Sequence, residues 1–398
     1  MKRALKIIAG LLGVLGLGLA ILLNHHLIFE PESGALACQT RLLRISNGGG
    51  LVEGPEDIVI DRARGVAYIS AYDRFSVERE VEAGGPVLTR GGIFQLNLDQ
   101  LGSGKEELEV RDITADFSAT NQFRPHGLGL YLEAGRGRAL FAVNRRHVVE
   151  GGEVRLTPTV EIFDLEGEEI DDLGEPVLTV SDALMCGPND IAPLDARSFL
   201  VSNDHGACDP SDQFIEELLG WKDAYLLYFA GGPPKVVARG LGYPNGITLT
   251  PETGDGQKLL VAATREKAVY VFDLQALLQD PPGSLNTLPE YSIPLPGSPD
   301  NFSWDAEGRL YLAVFPNIYR FAAFRGGWFG IKTAPGGFLE LDWKSPEKPS
   351  YAHVFDGDVM NGATVATPYG DWLLAASGFD NKLMVCARDE TSVAAGAA

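Results

Sequence analysis

The chain has 398 residues, 45% of them apolar and 22% charged, a balance that can bury a sizeable core and excludes an intrinsically disordered chain. Fifty-four acidic against 33 basic residues leave a formal net charge of -21, which repels phosphate backbones and excludes nucleic acid as a partner bound through a basic surface. The same acidity suits cations, although most carboxylates in such a chain simply keep a solvated surface soluble.

The first element is apolar. Ala4 to Leu23 is interrupted only by Lys6 and follows Lys2 and Arg3. About 20 such residues span a bilayer, and basic residues ahead of the run predict a cytoplasmic N-terminus with the remainder outside the cytosol. Residues 1–29 are therefore expected to form a signal-anchor (transmembrane) helix that makes the membrane a partner, and residues 30–398 the globular unit. Ala35-Leu36-Ala37 offers a signal-peptidase site, but it lies well beyond the apolar run, which favours a retained anchor. Four cysteines, Cys38, Cys186, Cys208 and Cys386, are an even number in an exported chain, which permits disulfides. Cys186 and Cys208 either pair or remain two small buried apolar residues.

From Gly65 onward, short segments rich in Val, Ile, Leu, Tyr and Phe alternate with Gly, Pro, Asp and Asn, the pattern of strands and turns. Val66 to Ala71, Ala139 to Val143, Lys258 to Ala263 and Trp372 to Ala376 are examples. One helix is predicted, Ser211 to Trp221, where Phe214, Ile215, Leu218 and Leu219 recur at helical spacing, and it is expected to pack over one face of the fold. Phe321 to Ile331 reads as an outer strand and its loop, with a membrane-surface contact as the alternative. Arg74 to Thr89 and Pro210 to Asp223 read as long segments over a channel mouth.

Six stretches say nearly the same thing: Glu56-Asp57-Ile58, Pro125-His126-Gly127, Pro188-Asn189-Asp190, Pro244-Asn245-Gly246, Pro299-Asp300-Asn301 and Met360-Asn361-Gly362. Each sets small polar residues before an apolar run, at steps of roughly 56 to 69 residues, the size of one repeating unit of three or four strands. The fold predicted is all-β, a six-bladed β-propeller. Its ring would be closed by an N-terminal strand completing the last blade, and Cys38 and Cys386 are placed to lock that closure; two unrelated free thiols are the alternative.

In a propeller the innermost strands line the axis, so this reading gathers Glu56, Asp57, His126, Asn189, Asp190, Asn245, Asp300, Asn301 and Asn361 into one small space. Four carboxylates cannot be packed together without a counter-ion. An all-oxygen set of carboxylates and carboxamides suits Ca²⁺ ahead of Mg²⁺ and far ahead of zinc. His126, the one histidine in the series, is the candidate general base. No GxSxG elbow, HExxH or P-loop occurs.

These motifs, in this order and over nearly the whole chain, resemble the paraoxonase/arylesterase family, calcium-dependent lactonases and arylesterases on a six-bladed propeller. The resemblance implies a calcium-dependent hydrolase opening lactones or cleaving carboxylic (aryl) esters, with two Ca²⁺ ions. The catalytic ion would be held by Glu56, Asn189, Asn245, Asp300 and Asn301. A structural ion would be held by Asp57, Asp190 and the backbone carbonyl of Leu128. Cys38 and Cys386 look like the family's ring-closing disulfide, and His126 looks like the first member of its histidine dyad. The second member is missing: Val143-Asn144-Arg145 stands where the family has Val-Asn-His, and Arg145 is expected to depress the pKa of His126. His205, in Asn203-Asp204-His205, is a further residue expected beside the site. The rival readings are a gluconolactonase-like sugar-lactone hydrolase and a non-catalytic, calcium-stabilised binding propeller.

Overall fold

The computed structural model describes residues 2–23, 36–133, 137–167, 170–251, 256–279, 288–343, 345–346 and 349–388. Asn24 to Phe29, within the expected anchor, and Ala35 of the candidate cleavage site lie outside them.

Four separate four-stranded antiparallel sheets follow one another along the chain, with first strands Pro125–Glu133, Pro188–Pro193, Pro244–Leu249 and Ser298–Trp304. An eight-stranded sheet joins the two ends of the fold. It runs Pro55–Asp61, Val66–Tyr72, Gly91–Asn97, Glu107–Asp112, Ala37–Ile45, Lys382–Ala387, Trp372–Ala376 and Val365–Tyr369. Where six blades closed by the N-terminal strand were expected, the described strands form four separate four-stranded sheets plus this larger one. The cause is a single strand with two partners: Ala37–Ile45 pairs antiparallel with Lys382–Ala387, setting Cys38 opposite Cys386, and parallel with Glu107–Asp112. Cys38 and Cys386 are disulfide-bonded, as are Cys186 and Cys208.

The cores lie between neighbouring sheets. Phe141 and Val160 pack with Phe199 and Val201 of the next sheet, Leu200 and Leu226 with Leu259 and Phe272, and Leu260 and Val271 with Leu310 and Leu339. The series returns on itself: Tyr311 and Phe338 pack with Leu373 and Met384, while Leu374 and Leu383 pack with Ile69 and Leu96. Burying apolar faces sheet against sheet around a closed circuit directs the first strands to the centre. Pro55–Asp61 accordingly touches both Pro125–Glu133 and Val365–Tyr369.

Two expectations about helices need correction, and the one at the N-terminus is met only in part. Lys2–Leu23 is helical, but no helix among the described residues is long and apolar enough to cross a membrane. The helix predicted at Ser211 to Trp221 spans Pro210–Leu219, yet Phe214, Ile215, Leu218 and Leu219 face outward, and its buried residue is Glu216. Glu216 accepts hydrogen bonds from the backbone N–H groups of Gly206 and Ala207, so a polar anchor rather than an apolar face docks this helix. Finally, Ile318–Arg325 is a helix, capped by Asn317 through the Arg320 N–H, where an outer strand was expected. Asn317 also donates from Nδ2 to the carbonyl of Leu22 at 2.7 Å, fastening the end of the N-terminal helix there.

Candidate functional site

Five of the six stretches form the beginnings of the central strands, and each carries the same irregularity. Pairing with the second strand shifts register between Pro55 and Asp57, Pro125 and Leu128, Pro188 and Ile191, Pro244 and Ile247, and Pro299 and Phe302. Proline offers no N–H to the ladder, and a bulge sets two residues against one, so consecutive side chains need not alternate between faces. Glu56 with Asp57, Asn189 with Asp190 and Asp300 with Asn301 are each buried as adjacent pairs. Two glycines permit close approach of the strands: a Cβ on Gly127 would lie 2.5 Å from the Asn189 carbonyl oxygen, and one on Gly246 would lie 2.5 Å from that of Asp300. The sixth stretch differs. Asn361 precedes the regular strand Val365–Tyr369, and its Oδ1 accepts from the Ala334 N–H at 3.1 Å.

A ring of hydroxyls from second strands and neighbouring turns fixes the backbone carbonyls of the site. Ser70 donates to the carbonyl of His126 at 2.5 Å, Ser202 to Asn245 at 2.6 Å, Thr264 to Pro299 at 2.8 Å and Thr364 to Glu56 at 2.6 Å. Sequence reasoning missed this set, although Tyr68-Ile69-Ser70-Ala71 and Leu200-Val201-Ser202-Asn203 place a hydroxyl at the same point of the second strand.

The oxygens at the axis fall into two groups. Glu56 Oε2, Asn189 Oδ1, Asn245 Oδ1, Asp300 Oδ1 and Asn301 Oδ1 are buried and have no hydrogen-bond partner. A buried acceptor without a partner carries the full desolvation penalty of about 1–3 kcal/mol, more if charged. The carboxylates of Asp57 and Asp190 are satisfied: Asp57 accepts from the N–H groups of Leu128 at 2.7 Å and Ile58 at 2.8 Å, and Asp190 from Ile247 and Ile191, both at 2.8 Å. Leu128 therefore presents its N–H to Asp57. Among the described residues no three His, Cys, Asp or Glu side chains gather as a metal cluster; carboxamides make up three of the five partnerless oxygens.

Electrostatics follow burial. Desolvation, with Glu56 close by, pushes the Asp57 carboxyl up to about 7. Burial, then neighbouring carboxylates, carries Asp190 and Asp300 well above the usual range. Glu56 is also raised by burial, with Arg74 and Arg145 offsetting part of the effect. Acids raised in this way are those that a bound cation would return to the ionised form.

Beside them, both ring nitrogens of His126 face guanidinium groups: Arg74 Nη2 is 2.7 Å from Nδ1 and Arg145 Nη1 is 3.3 Å from Nε2. Burial, then Arg74 and Arg145, lowers the His126 pKa well below the ordinary value, so the ring is neutral. Arg145 reaches Asp204 at 3.1 Å, and Asp204 bonds His205 Nδ1 at 2.6 Å. Burial alone would raise Asp204, but Arg145 and His205 outweigh it and hold the carboxyl at about 2. Burial likewise opposes charge on His205, yet Asp204 and Glu217 lift it to about 9. His205 is thus a charged structural partner, and His147, which opens the strand His147–Glu150, is not among the groups facing His126. Arg74, at the start of the helix Arg74–Glu82, went unrecognised in the sequence. Its only signal is its place at the end of the strand Val66–Tyr72, on the side where the polar stretches lie.

The arylesterase family model matches residues 85–387. Human serum paraoxonase/arylesterase 1 is 26% identical over 388 residues, 96% of this chain and 99% of that protein. Human serum paraoxonase/lactonase 3 is 26% identical over 370 residues, 91% and 88% of the two chains. A solved gluconolactonase from Xanthomonas campestris aligns with a TM-score of 0.46 at 15% identity, over 89% of this chain and 97% of its own. With a family match that runs through four of the five bulged central strands to Lys382–Ala387, the partner of the ring-closing strand, the chain belongs to the arylesterase family.

Proposed function

We propose that this protein is a calcium-dependent hydrolase that opens lactones or cleaves carboxylic (aryl) esters, on a propeller in which the eight-stranded sheet counts as two of six blades. The observation that carries the reading is the set of five partnerless buried oxygens, one from each of Glu56, Asn189, Asn245, Asp300 and Asn301. Five oxygen donors, two of them on carboxylates, fit a hard cation that takes six to eight oxygens and leave coordination open for a carbonyl. When bound, Ca²⁺ supplies a Lewis acid that polarises that carbonyl.

The chain's own residues do the rest. Glu56 and Asp300 contribute the charge that the ion neutralises, while the three carboxamides add donors without further repulsion. His126 is neutral, the form a general base requires, but a guanidinium N–H occupies its acceptor nitrogen. Proton removal at His126 therefore requires displacement of Arg74 or Arg145 by substrate or water. Asp57 and Asp190, with Leu128, form a second candidate calcium position. Leu128 would add its backbone carbonyl, while its N–H bonds Asp57.

Two disulfides and the "serum" relatives support an extracytoplasmic location. The helix Lys2–Leu23 is the candidate membrane anchor. The deciding experiment is turnover of a lactone panel and phenyl acetate by the metal-free protein, before and after calcium is restored. Activity should vanish on chelation and return with Ca²⁺; full activity in a sample proven free of calcium would discard the reading.

A further inference from the structure

We propose that Arg74 and Arg145 form an anion clasp at the mouth of the site, and that the preferred substrate is a lactone or ester carrying a carboxylate on the carbon that bears the ester oxygen. This inference rests on the hydrolase reading above and names its substrate class.

The argument begins with donors and acceptors. A guanidinium only donates, and a neutral imidazole has one acceptor nitrogen and one N–H. His126 stands between two guanidinium groups, at 2.7 Å and 3.3 Å from its two ring nitrogens. Whichever nitrogen carries the proton, one arginine N–H points at another N–H. The surplus is larger still on Arg74: Nη1 reaches the Tyr72 hydroxyl at 2.8 Å, Nη2 faces His126, and the buried Nε has no partner.

The charges around the two arginines do not remove this surplus. Glu56 is 3.8 Å from Arg74, beyond a hydrogen bond, and belongs to the oxygen set that awaits a cation. Asp204 divides its charge between Arg145 at 3.1 Å and His205 at 2.6 Å. Glu217 bonds His205 at 3.0 Å, and Glu78 is paired with a third mouth arginine, Arg325, at 3.0 Å. A neutral ester carbonyl is a weak acceptor for such groups. A carboxylate is a strong one and can take two N–H bonds from a planar guanidinium. The side chain of Arg74 is 9% exposed and that of Arg145 19%, so one is a nearly sealed wall and the other reaches the opening. The clasp also explains an arginine at 145: it gives up a proton relay and gains a substrate anchor beside the metal position.

The test uses the full chain loaded with calcium and two substrates sharing one ring, γ-butyrolactone and 5-oxotetrahydrofuran-2-carboxylate. The carboxylate lactone should show at least a ten-fold higher kcat/KM, carried mainly by KM, and the ratio should fall as salt rises. In Arg145→Gln the ratio should collapse to about one, and Arg145→Lys, which keeps the charge but not the fork, should recover part of it. If Arg145→Gln does not fold, the salt dependence and the Lys variant decide. A parent ratio near or below one, or a ratio unchanged in Arg145→Gln, overturns the clasp while leaving the hydrolase reading intact. Hydrolysis of neither lactone nor of phenyl acetate overturns both.

Discussion

Two sets of acidic and amide side chains sit side by side at the centre of this molecule, on the same bulged strands, and they differ in how their oxygens are used. Asp57 and Asp190 each spend both oxygens on backbone N–H groups, one local and one from the next central strand. They stitch neighbouring sheets together whether or not an ion is present. Glu56, Asn189, Asn245, Asp300 and Asn301 each keep one buried oxygen without a partner. The first set contributes to the protein's own stability, while the second lowers it unless a ligand binds. Chemistry is expected where stability has been given up.

The contrast can be broken most directly by substitution in each set. Asp300→Ala should reduce calcium-dependent hydrolysis by more than about 100-fold, since even residues that only support metal ligands cost 10–100-fold. In chelator the same variant should be at least as resistant to urea as the parent, because a buried carboxyl whose Oδ1 has no partner has gone. Undiminished turnover would remove Asp300 from the site.

The frame that holds both sets can be tested through its closure. Cys38→Ser releases a cross-link spanning 348 residues, for which loop entropy predicts a loss of about 6 kcal/mol. The pairing of Ala37–Ile45 with Lys382–Ala387 should keep the variant folded, with a lower melting temperature; an unchanged melt would show that the strand alone closes the ring.

Asp57→Ala should cost less, about 2–3 kcal/mol in urea denaturation, because it orphans the N–H groups of Leu128 and Ile58. That loss should persist in chelator, unlike any effect at Asp300. A cost seen only in the presence of calcium would instead make Asp57 a metal ligand first and a strand tie second.

The smallest effect is expected from pH. His205 titrates at about 9 in the folded protein, above its ordinary 6.5. Its pairing with Asp204 and Glu217 therefore contributes fully below about pH 6.5 and is lost as pH rises through about 9. Urea stability measured from pH 6 to 10 should decline across that window, and His205→Gln should flatten the decline.

Much of this was legible in the chain. Lys258–Ala263 and Trp372–Ala376 are strands with the bounds their apolar runs suggest, because alternating burial within a sheet writes itself into residue type. The five residues with partnerless oxygens were legible too, since a repeat places like positions at like depth. What misled was local pattern without context. Phe214, Ile215, Leu218 and Leu219 have helical spacing, and a helix forms, but the docking is done by Glu216. The aromatic run from Phe321 reads equally as strand or helix, and only the Asn317 cap and the neighbouring Leu22 carbonyl decide it. Arg74 lies outside every repeat, so no periodicity could bring it to His126.

The sequence by itself determined the number of polar stretches, their residue types and the demand for a cation, because composition and repeat spacing are properties of the chain. Only the tertiary structure decided which oxygens are already satisfied and which are left over, since an N–H from the next sheet, such as that of Leu128 or Ile247, becomes a partner only once the strands are side by side. The same closeness set two arginines against one histidine and turned the expected dyad into a surplus of donors.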